Sequence, residues 1–390
     1  MENNWTKPRI VTIHYAEIAL KGKNRIAFEK RLIDNISQKI KGTESTFTRE
    51  TGIIVGRLKK PLQQEAVSEI LRAIPGIAYF SFAVSTPRDV DAIKKCVLQL
   101  LKSESFETFR INAKRRDKKY TVKSVDVNAQ VGASVAGAFN KPAQMSGPDL
   151  EVKIEITDRN AYISLADIQG VGGMPTDNTQ KVVSLLSGGY DSPVAAYLMM
   201  KRGCNVILAH FQNRLQITDI VEDKVVRLGE RLAAFQTGTN LYILPFEEIQ
   251  KKIIMNVPSQ LRMLIYRKFM IHIAAKIADL EGARFLVTGD SLSQVASQTF
   301  DNLAATYHDS PKHIFSPLIG LDKREIMDIA QKIGTYEISA LPYGDCCTFF
   351  IPKHPELHAS PGELKRLEDL FDIPALINTT VAQAKINRWD

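Results

Sequence analysis

The residues best placed to do chemistry are Ser187-Gly188-Gly189-Tyr190-Asp191-Ser192-Pro193, directly after the apolar run Val182-Val183-Ser184-Leu185-Leu186. A short buried strand feeding a Gly-Gly turn and then a helix makes backbone N–H groups converge, which is how a polypeptide grips phosphate. Ser192 suits the N-cap and Pro193 the first helical position, where a missing N–H costs nothing. The helix then runs to Lys201-Arg202-Gly203, a basic last turn followed by a glycine. Two better-known phosphate loops are absent: no G-x-x-x-x-G-K-[ST] occurs, and Gly170-Val171-Gly172-Gly173 does not complete G-x-G-x-x-G. The bland alternative is an ordinary glycine turn, yet the strand before it and the helix after it are both oriented as a phosphate site requires.

Around this loop, apolar strands at Val182–Leu186, Val206–Ala209, Leu241–Leu244 and Phe285–Thr288 alternate with long helical stretches. That alternation predicts a doubly wound parallel sheet with ligands at the strands' carboxyl ends. The residues expected at a nucleotide are therefore Leu185 and Leu186, His210 and Phe211 after the second strand, and Gly289-Asp290-Ser291 after the fourth. Phe211 can pack on a base, while a lone His210 reads more often as a satisfied structural histidine. Asp191 and Asp290 are candidate Mg²⁺ carboxylates, since that ion takes few protein oxygens and keeps its waters and phosphates. Arg267, on a helix expected over Gln260–Asp279, reaches a phosphate or is a solvated helix charge; Gln294 and Gln298 lie in a loop beside the site.

Of four cysteines, Cys96 and Cys204 read as structural, whereas Cys346 and Cys347 sit in the polar turn Pro342–Thr348. A disulfide framework is excluded by the count, which points to a reducing, cytoplasmic setting. An exposed thiol in a basic cleft has its thiolate favoured, and thiolate is the nucleophile. A bond between the two neighbours is disfavoured, because adjacent Cα atoms lie about 3.8 Å apart and disulfides usually need roughly 4.4 Å.

The net charge of +8 is segregated. Residues 1–180 carry 28 Lys and Arg against 20 Asp and Glu, while residues 181–390 carry 23 of each. One part of the chain thus reads as gripping a polyanion while the other performs chemistry. The densest patch is Lys114-Arg115-Arg116-Asp117-Lys118-Lys119; Lys21, Lys23 and Arg25 before a helix form a second. Few aromatics accompany either patch, so backbone and shape recognition of an RNA is expected, with strong salt dependence. No charged-then-apolar leader and no membrane-length apolar run are visible, so no membrane partner is expected. Strand and helix patterns over 1–60 and 61–168 are α+β; Gly170–Pro175 reads as a linker, and 176–390 as the α/β catalytic part.

S-G-G-x-D-S resembles the signature of the PP-loop ATP pyrophosphatases, enzymes that split ATP between its α- and β-phosphates. With it, Glu17–Arg25, Lys114–Lys118 and Thr288-Gly289-Asp290-Ser291-Leu292 together resemble the tRNA 4-thiouridine synthetase (tRNA sulfurtransferase, ThiI) family over nearly the whole chain. The resemblance implies an N-terminal ferredoxin-like domain, a THUMP domain binding tRNA, and a PP-loop catalytic domain. It implies ATP contacts at Leu185, Leu186, Ser187, Gly188, Gly189, Asp191, Ser192, His210, Phe211, Arg267, Gly289 and Gln298. It also implies adenylation of uridine O4 at position 8 of tRNA, then sulfur transfer from a persulfide on a catalytic cysteine. That cysteine maps to Cys346 or Cys347, with Cys346 preferred and Asp191 beside the reacting phosphates. Longer members carry a rhodanese domain for which the chain leaves no room. A cysteine desulfurase or another donor is therefore expected to supply sulfur; the resemblance also implies a sulfur-carrier role in thiamine thiazole synthesis, which the lack of a rhodanese domain speaks against. A tRNA touching both basic and catalytic parts suggests a homodimer. The competing readings are a lysidine-type tRNA ligase, which would need no cysteine, and a tRNA-binding protein with a vestigial ATP fold.

Overall fold

The computed structural model describes residues 9–41, 45–58, 64–212, 219–341 and 355–389. These divide into two compact units, Met1–Pro175 and Thr176–Asp390.

The first unit contains β1 (Ile10–His14), α1 (Arg25–Lys39), β2 (Thr46–Glu50), β3 (Ile53–Arg57), α2 (Gln64–Ala73), β4 (Tyr79–Thr86), α3 (Val90–Leu101), β5 (Phe109–Arg115), α4 (Ser124–Phe139), β6 (Leu150–Ile156), β7 (Ala161–Ser164) and β8 (Ile168–Gln169). Its strands form one sheet in the order β2-β3-β1-β4-β7-β6-β5, with β8 beside β4; β5 and β6 run parallel. Helical spacing places Leu32 and Ile36 of α1 and Val67 and Leu71 of α2 on one apolar core with Val11, Ile13 and Phe80. A second core sets Ile93, Val97, Val127 and Val131 of α3 and α4 against Phe109, Ile111, Val152 and Ile154.

Strand β4 joins the two halves, since Tyr79–Ala83 pair with β1 and Val84–Thr86 with β7. The sequence reading starts a second part at Pro61, whereas α2 and the first half of β4 complete the first core. The expected linker is also anchored. Gly170 N–H donates to Ala78 O and Gly172 N–H to Ile77 O, and a Cβ on Gly170 would lie 2.4 Å from Ile77 O. Met174 is buried in the same core.

The second unit contains β9 (Asp177–Leu185), α5 (Asp191–Lys201), β10 (Cys204–Gln212), α6 (Asp219–Ala233), β11 (Thr239–Pro245), α7 (Glu247–Asn256), α8 (Arg262–Glu281), β12 (Phe285–Val287), α9 (Phe300–Tyr307), β13 (His313–Phe315), α10 (Lys323–Ile333), α11 (Tyr336–Ala340), α12 (Pro361–Glu368), α13 (Ile373–Ala382) and β14 (Lys385–Trp389). The sheet order is β13-β12-β9-β10-β11-β14, parallel except for β14. This is the expected doubly wound sheet, with two edge strands the apolar pattern did not reveal. Succession runs outward from β9 through β10 and β11 on one side and through β12 and β13 on the other. The chain order therefore reverses between β9 and β12, where such sheets open a crevice. Helix α8 is buried along Leu264, Ile265, Phe269 and Ile273 beneath that sheet.

Candidate active site

A cavity of about 260 Å³ opens at this switch point. Its walls include Leu185, Leu186, Ser187, Asp191, Ser192, His210, Phe211, Arg267, Gly289 and Gln298, residues separated by more than a hundred positions. Gly188 and Gly189, also expected at the nucleotide, are not among its walls. Met270 and Ile271 are, and sequence reasoning missed them; their spacing from Arg267 is one helical stripe of α8, which was the available signal.

The phosphate loop is closed by its own serines. Ser187 N–H donates to Ser192 Oγ at 2.7 Å, the two hydroxyls lie 3.0 Å apart, and Gly189 N–H donates to Ser187 Oγ at 3.3 Å. Ser192 is therefore not the N-cap the sequence suggested. Helix α5 starts at Asp191, and Tyr190 occupies the cap without a side-chain bond. The hydroxyl turns back into the loop because the loop's N–H groups compete for it. The α5 N-terminus still faces the cavity through Asp191 and Ser192, with its partial positive charge.

Gly289 lets β12 meet this turn. A Cβ there would lie 2.8 Å from Ser192 N and 2.9 Å from Ser192 Cα. His210, buried, has Nδ1 2.9 Å from Leu186 O; a carbonyl only accepts, so Nδ1 carries the proton. Phe211 packs edge-on against Phe246 at 5.6 Å.

Arg267 and Asp290 form a bidentate pair at 2.8 and 2.6 Å. Gln298 Nε2 donates to the same carboxylate at 2.9 Å, as does the Tyr307 hydroxyl. Burial alone would raise the Asp290 pKa, but the Arg267 charge and these donors hold it down at about 2. Burial, then the Asp290 charge, pushes the Tyr307 hydroxyl up to about 12. The sequence reading offers Asp290 as a Mg²⁺ carboxylate; four donors on its two oxygens make it instead the holder of Arg267. Gln298 Oε1 is buried without a hydrogen-bond partner.

Asp191 differs. It is partly exposed and accepts from Lys323 Nζ at 2.8 Å and Gln294 Nε2 at 3.0 Å. Lys323 also lies 5.4 Å above the Tyr190 ring. Lys323 was missed, although a signal existed: it is the first residue of a helix, where a cation opposes the dipole. Of the two carboxylates, Asp191 fits a Mg²⁺ shared with phosphates and Asp290 does not. Cys346 and Cys347 lie outside the described residues.

In the first unit, Arg25, Arg49, Arg115 and Arg116 line a cavity of about 650 Å³ with Tyr15 and Glu29. The two basic patches of the sequence thus converge, with Arg49 and Tyr15 added. Arg25 is paired with Glu29 at 2.7 Å, and Arg116 with Glu155 at 2.5 Å. Lys23, Lys114, Lys118 and Lys119 are exposed, and Lys21 sits 5.4 Å from the Phe28 ring.

A phosphate loop at the switch point of a doubly wound sheet, with an arginine held by a buried carboxylate, defines a nucleotide-binding domain of the α/β class. The ThiI profile, described as thiamine biosynthesis protein, matches residues 178–373; the ThiI ferredoxin-like domain matches 10–81 and the THUMP domain 87–166. The chain belongs to the ThiI family of tRNA sulfurtransferases. It is 38% identical to a probable tRNA sulfurtransferase of Caldanaerobacter subterraneus over 95% of this chain and 97% of that one. The corresponding Thermus thermophilus protein is 39% identical over 94% of this chain and 88% of its own length. A crystal structure of a 4-thiouridine synthetase–RNA complex with bound ATP superposes with a TM-score of 0.87 at 31% identity, covering 98% of this chain and all of that one. Among the described residues, no helix is long and apolar enough to cross a membrane.

Proposed function

We propose that the protein makes 4-thiouridine at position 8 of tRNA in two steps. Uridine O4 attacks the α-phosphorus of ATP, giving the adenylated base and pyrophosphate. The terminal sulfur of a persulfide on Cys346 or Cys347 then bonds to C4 as AMP leaves with O4; a thiol reductant supplied with the donor attacks the cysteine sulfur, forming a disulfide with it and releasing the sulfur on C4 as 4-thiouridine. Adenylation is needed because a carbonyl oxygen is a poor leaving group until it belongs to AMP.

The observation that carries this reading is the cavity joining the α5 N-terminus, Arg267 and the apolar wall of Phe211, Met270 and Ile271. A base fits the apolar wall, and Gln298 Oε1, a buried acceptor, suits an exocyclic amine. The helix terminus and Arg267 suit phosphates. Asp191 would hold a Mg²⁺ ion, which would neutralise phosphate charge when bound. Lys323 would stay beside Asp191 and oppose charge building on the departing diphosphate. The lysines Lys23, Lys114, Lys118 and Lys119, with the cavity of Arg25, Arg49, Arg115 and Arg116, would contact tRNA phosphates. The sulfur donor would be a cysteine desulfurase or another persulfide source, and the working form a homodimer.

The test is incubation with tRNA, ATP and a persulfide donor, reading 4-thiouridine by its near-ultraviolet absorbance and pyrophosphate separately. Cys346→Ser or Cys347→Ser should abolish thiolation while pyrophosphate release continues. Full thiolation by both variants, or ADP instead of AMP as product, refutes the proposal.

A further inference from the structure

Helix α6 carries a lysine in its buried stripe. Lys224 is 2% exposed, and its Nζ donates to Ser339 O and Leu341 O, each at 2.8 Å. Those oxygens belong to the end of α11, where a helix leaves carbonyls without partners of its own. Burying an ammonium costs several kcal/mol, and a well-packed apolar side chain of similar volume often stabilises as much. The lysine is therefore poorly explained by stability and well explained by geometry.

Helix α11 is tied to the phosphate loop on its other side. Ser339 Oγ donates to Gly189 O at 3.1 Å, and the Tyr336 ring lies 5.1 Å from that of Tyr190. In sequence, Leu341 precedes Cys346 by five residues. One short helix is thus pinned to the loop that faces the nucleotide cavity and, by Lys224, at the point where the chain leaves toward the cysteine pair.

We propose that Lys224 is a positioning residue for the sulfur-transfer step: by holding the carbonyls of Ser339 and Leu341, it fixes the exit of the cysteine-bearing segment relative to the phosphate loop. The proposal rests on the reading that Cys346 or Cys347 delivers sulfur. Lys224 is not among the walls of the nucleotide cavity, so its loss should fall on the second step more than on adenylation.

The experiment compares tRNA-dependent pyrophosphate release with 4-thiouridine formation in the full chain. Lys224→Met should lower thiouridine formation about tenfold or more, since an ångström of misplacement costs up to about a hundredfold, while pyrophosphate release stays within about twofold. Lys224→Arg, which still offers donors to both carbonyls, should restore most thiolation. Equal loss of both products, or unchanged thiolation, overturns the proposal. Should Lys224→Met not fold, Lys224→Gln supplies an amide donor for one carbonyl and should show the same split at smaller amplitude; no split overturns the proposal as well. Cys346→Ser and Cys347→Ser run alongside: if neither loses thiolation, the cysteine reading fails, whereas if they lose it and Lys224→Met does not, the positioning role alone fails.

Discussion

Replacing Gly289 by alanine tests whether the approach of β12 to the α5 N-terminus sets the phosphate site. The added Cβ would meet Ser192 N at 2.8 Å, Ser192 Cα at 2.9 Å and Asp191 C at 3.1 Å, against ordinary contacts of 3.4–4 Å. All three atoms are backbone, so no side chain can swing aside; the first turn of α5 or the end of β12 must move by about half an ångström or more. Overpacking of this kind costs about 1–3 kcal/mol. If that cost falls on the nucleotide-bound geometry, pyrophosphate release drops by about fivefold to 150-fold. The assay is kcat/KM for tRNA-dependent pyrophosphate release with varied ATP, beside thermal unfolding. Gly229→Ala is the control, because its Cβ would lie 2.7 Å from the tip of the Trp389 ring, on α6 against β14. It should lower the melting temperature and spare kcat/KM at temperatures where it remains folded. Wild-type kcat/KM in Gly289→Ala, or an equal loss in both variants, would refute the reasoning.

The Asp290 carboxyl lies at about 2 in the folded protein against 3.8 for an ordinary aspartate, so it contributes roughly 2 kcal/mol of stability above pH 4 that is lost as pH falls from about 4 to 2. Urea unfolding of Asp290→Asn should therefore show a weaker loss of stability over that window than wild type. Glu368 is 2% exposed and accepts from Lys268 Nζ at 2.9 Å and His272 Nε2 at 3.0 Å, tying α12 to α8. Glu368→Gln should destabilise by about 3–5 kcal/mol, read by denaturant midpoint, and Lys268→Met in the same chain should recover much of it. Lys114→Ala, Lys118→Ala and Lys119→Ala should weaken tRNA binding alike across sequences and flatten the salt dependence by about one per phosphate contact removed. Cys96, whose thiol burial pushes up to about 11, should resist alkylation at pH 8 in the folded chain.

The central parallel strands β9 to β12 were legible because each is an apolar run buried on both faces, and α4 because valines at 127, 131 and 135 mark a stripe. The edge strands β13 and β14 were not, since His313–Phe315 opens on a polar residue and is exposed at both ends, and Lys385–Trp389 interleaves charge with apolar positions. The residues at strand ends were predictable from topology alone. The partners of Asp191 were not. Lys323 lies 132 residues away and Gln294 lies 103, and neither has a local pattern beyond a cation at a helix start. The Ser192 misreading has the same origin: cap preferences describe isolated helix ends, and here another serine in the loop takes the hydroxyl.

The charges at the cavity explain why a triphosphate would need more than this protein's side chains. Arg267 is matched by Asp290 and Lys323 by Asp191, so these two cations and two carboxylates sum to zero. Asp290 keeps its charge far below neutral pH, so Arg267 presents a guanidinium whose field is largely cancelled at a distance and is felt only by a group in contact. The α5 N-terminus adds about half a positive charge. Against the several negative charges of ATP that leaves a deficit, and Asp191, partly exposed beside Lys323, is the carboxylate able to take a divalent cation as well. On the proposed reading Arg267 would orient a phosphate rather than attract it, because a fork fixed by both Asp290 oxygens has its direction set before any nucleotide arrives.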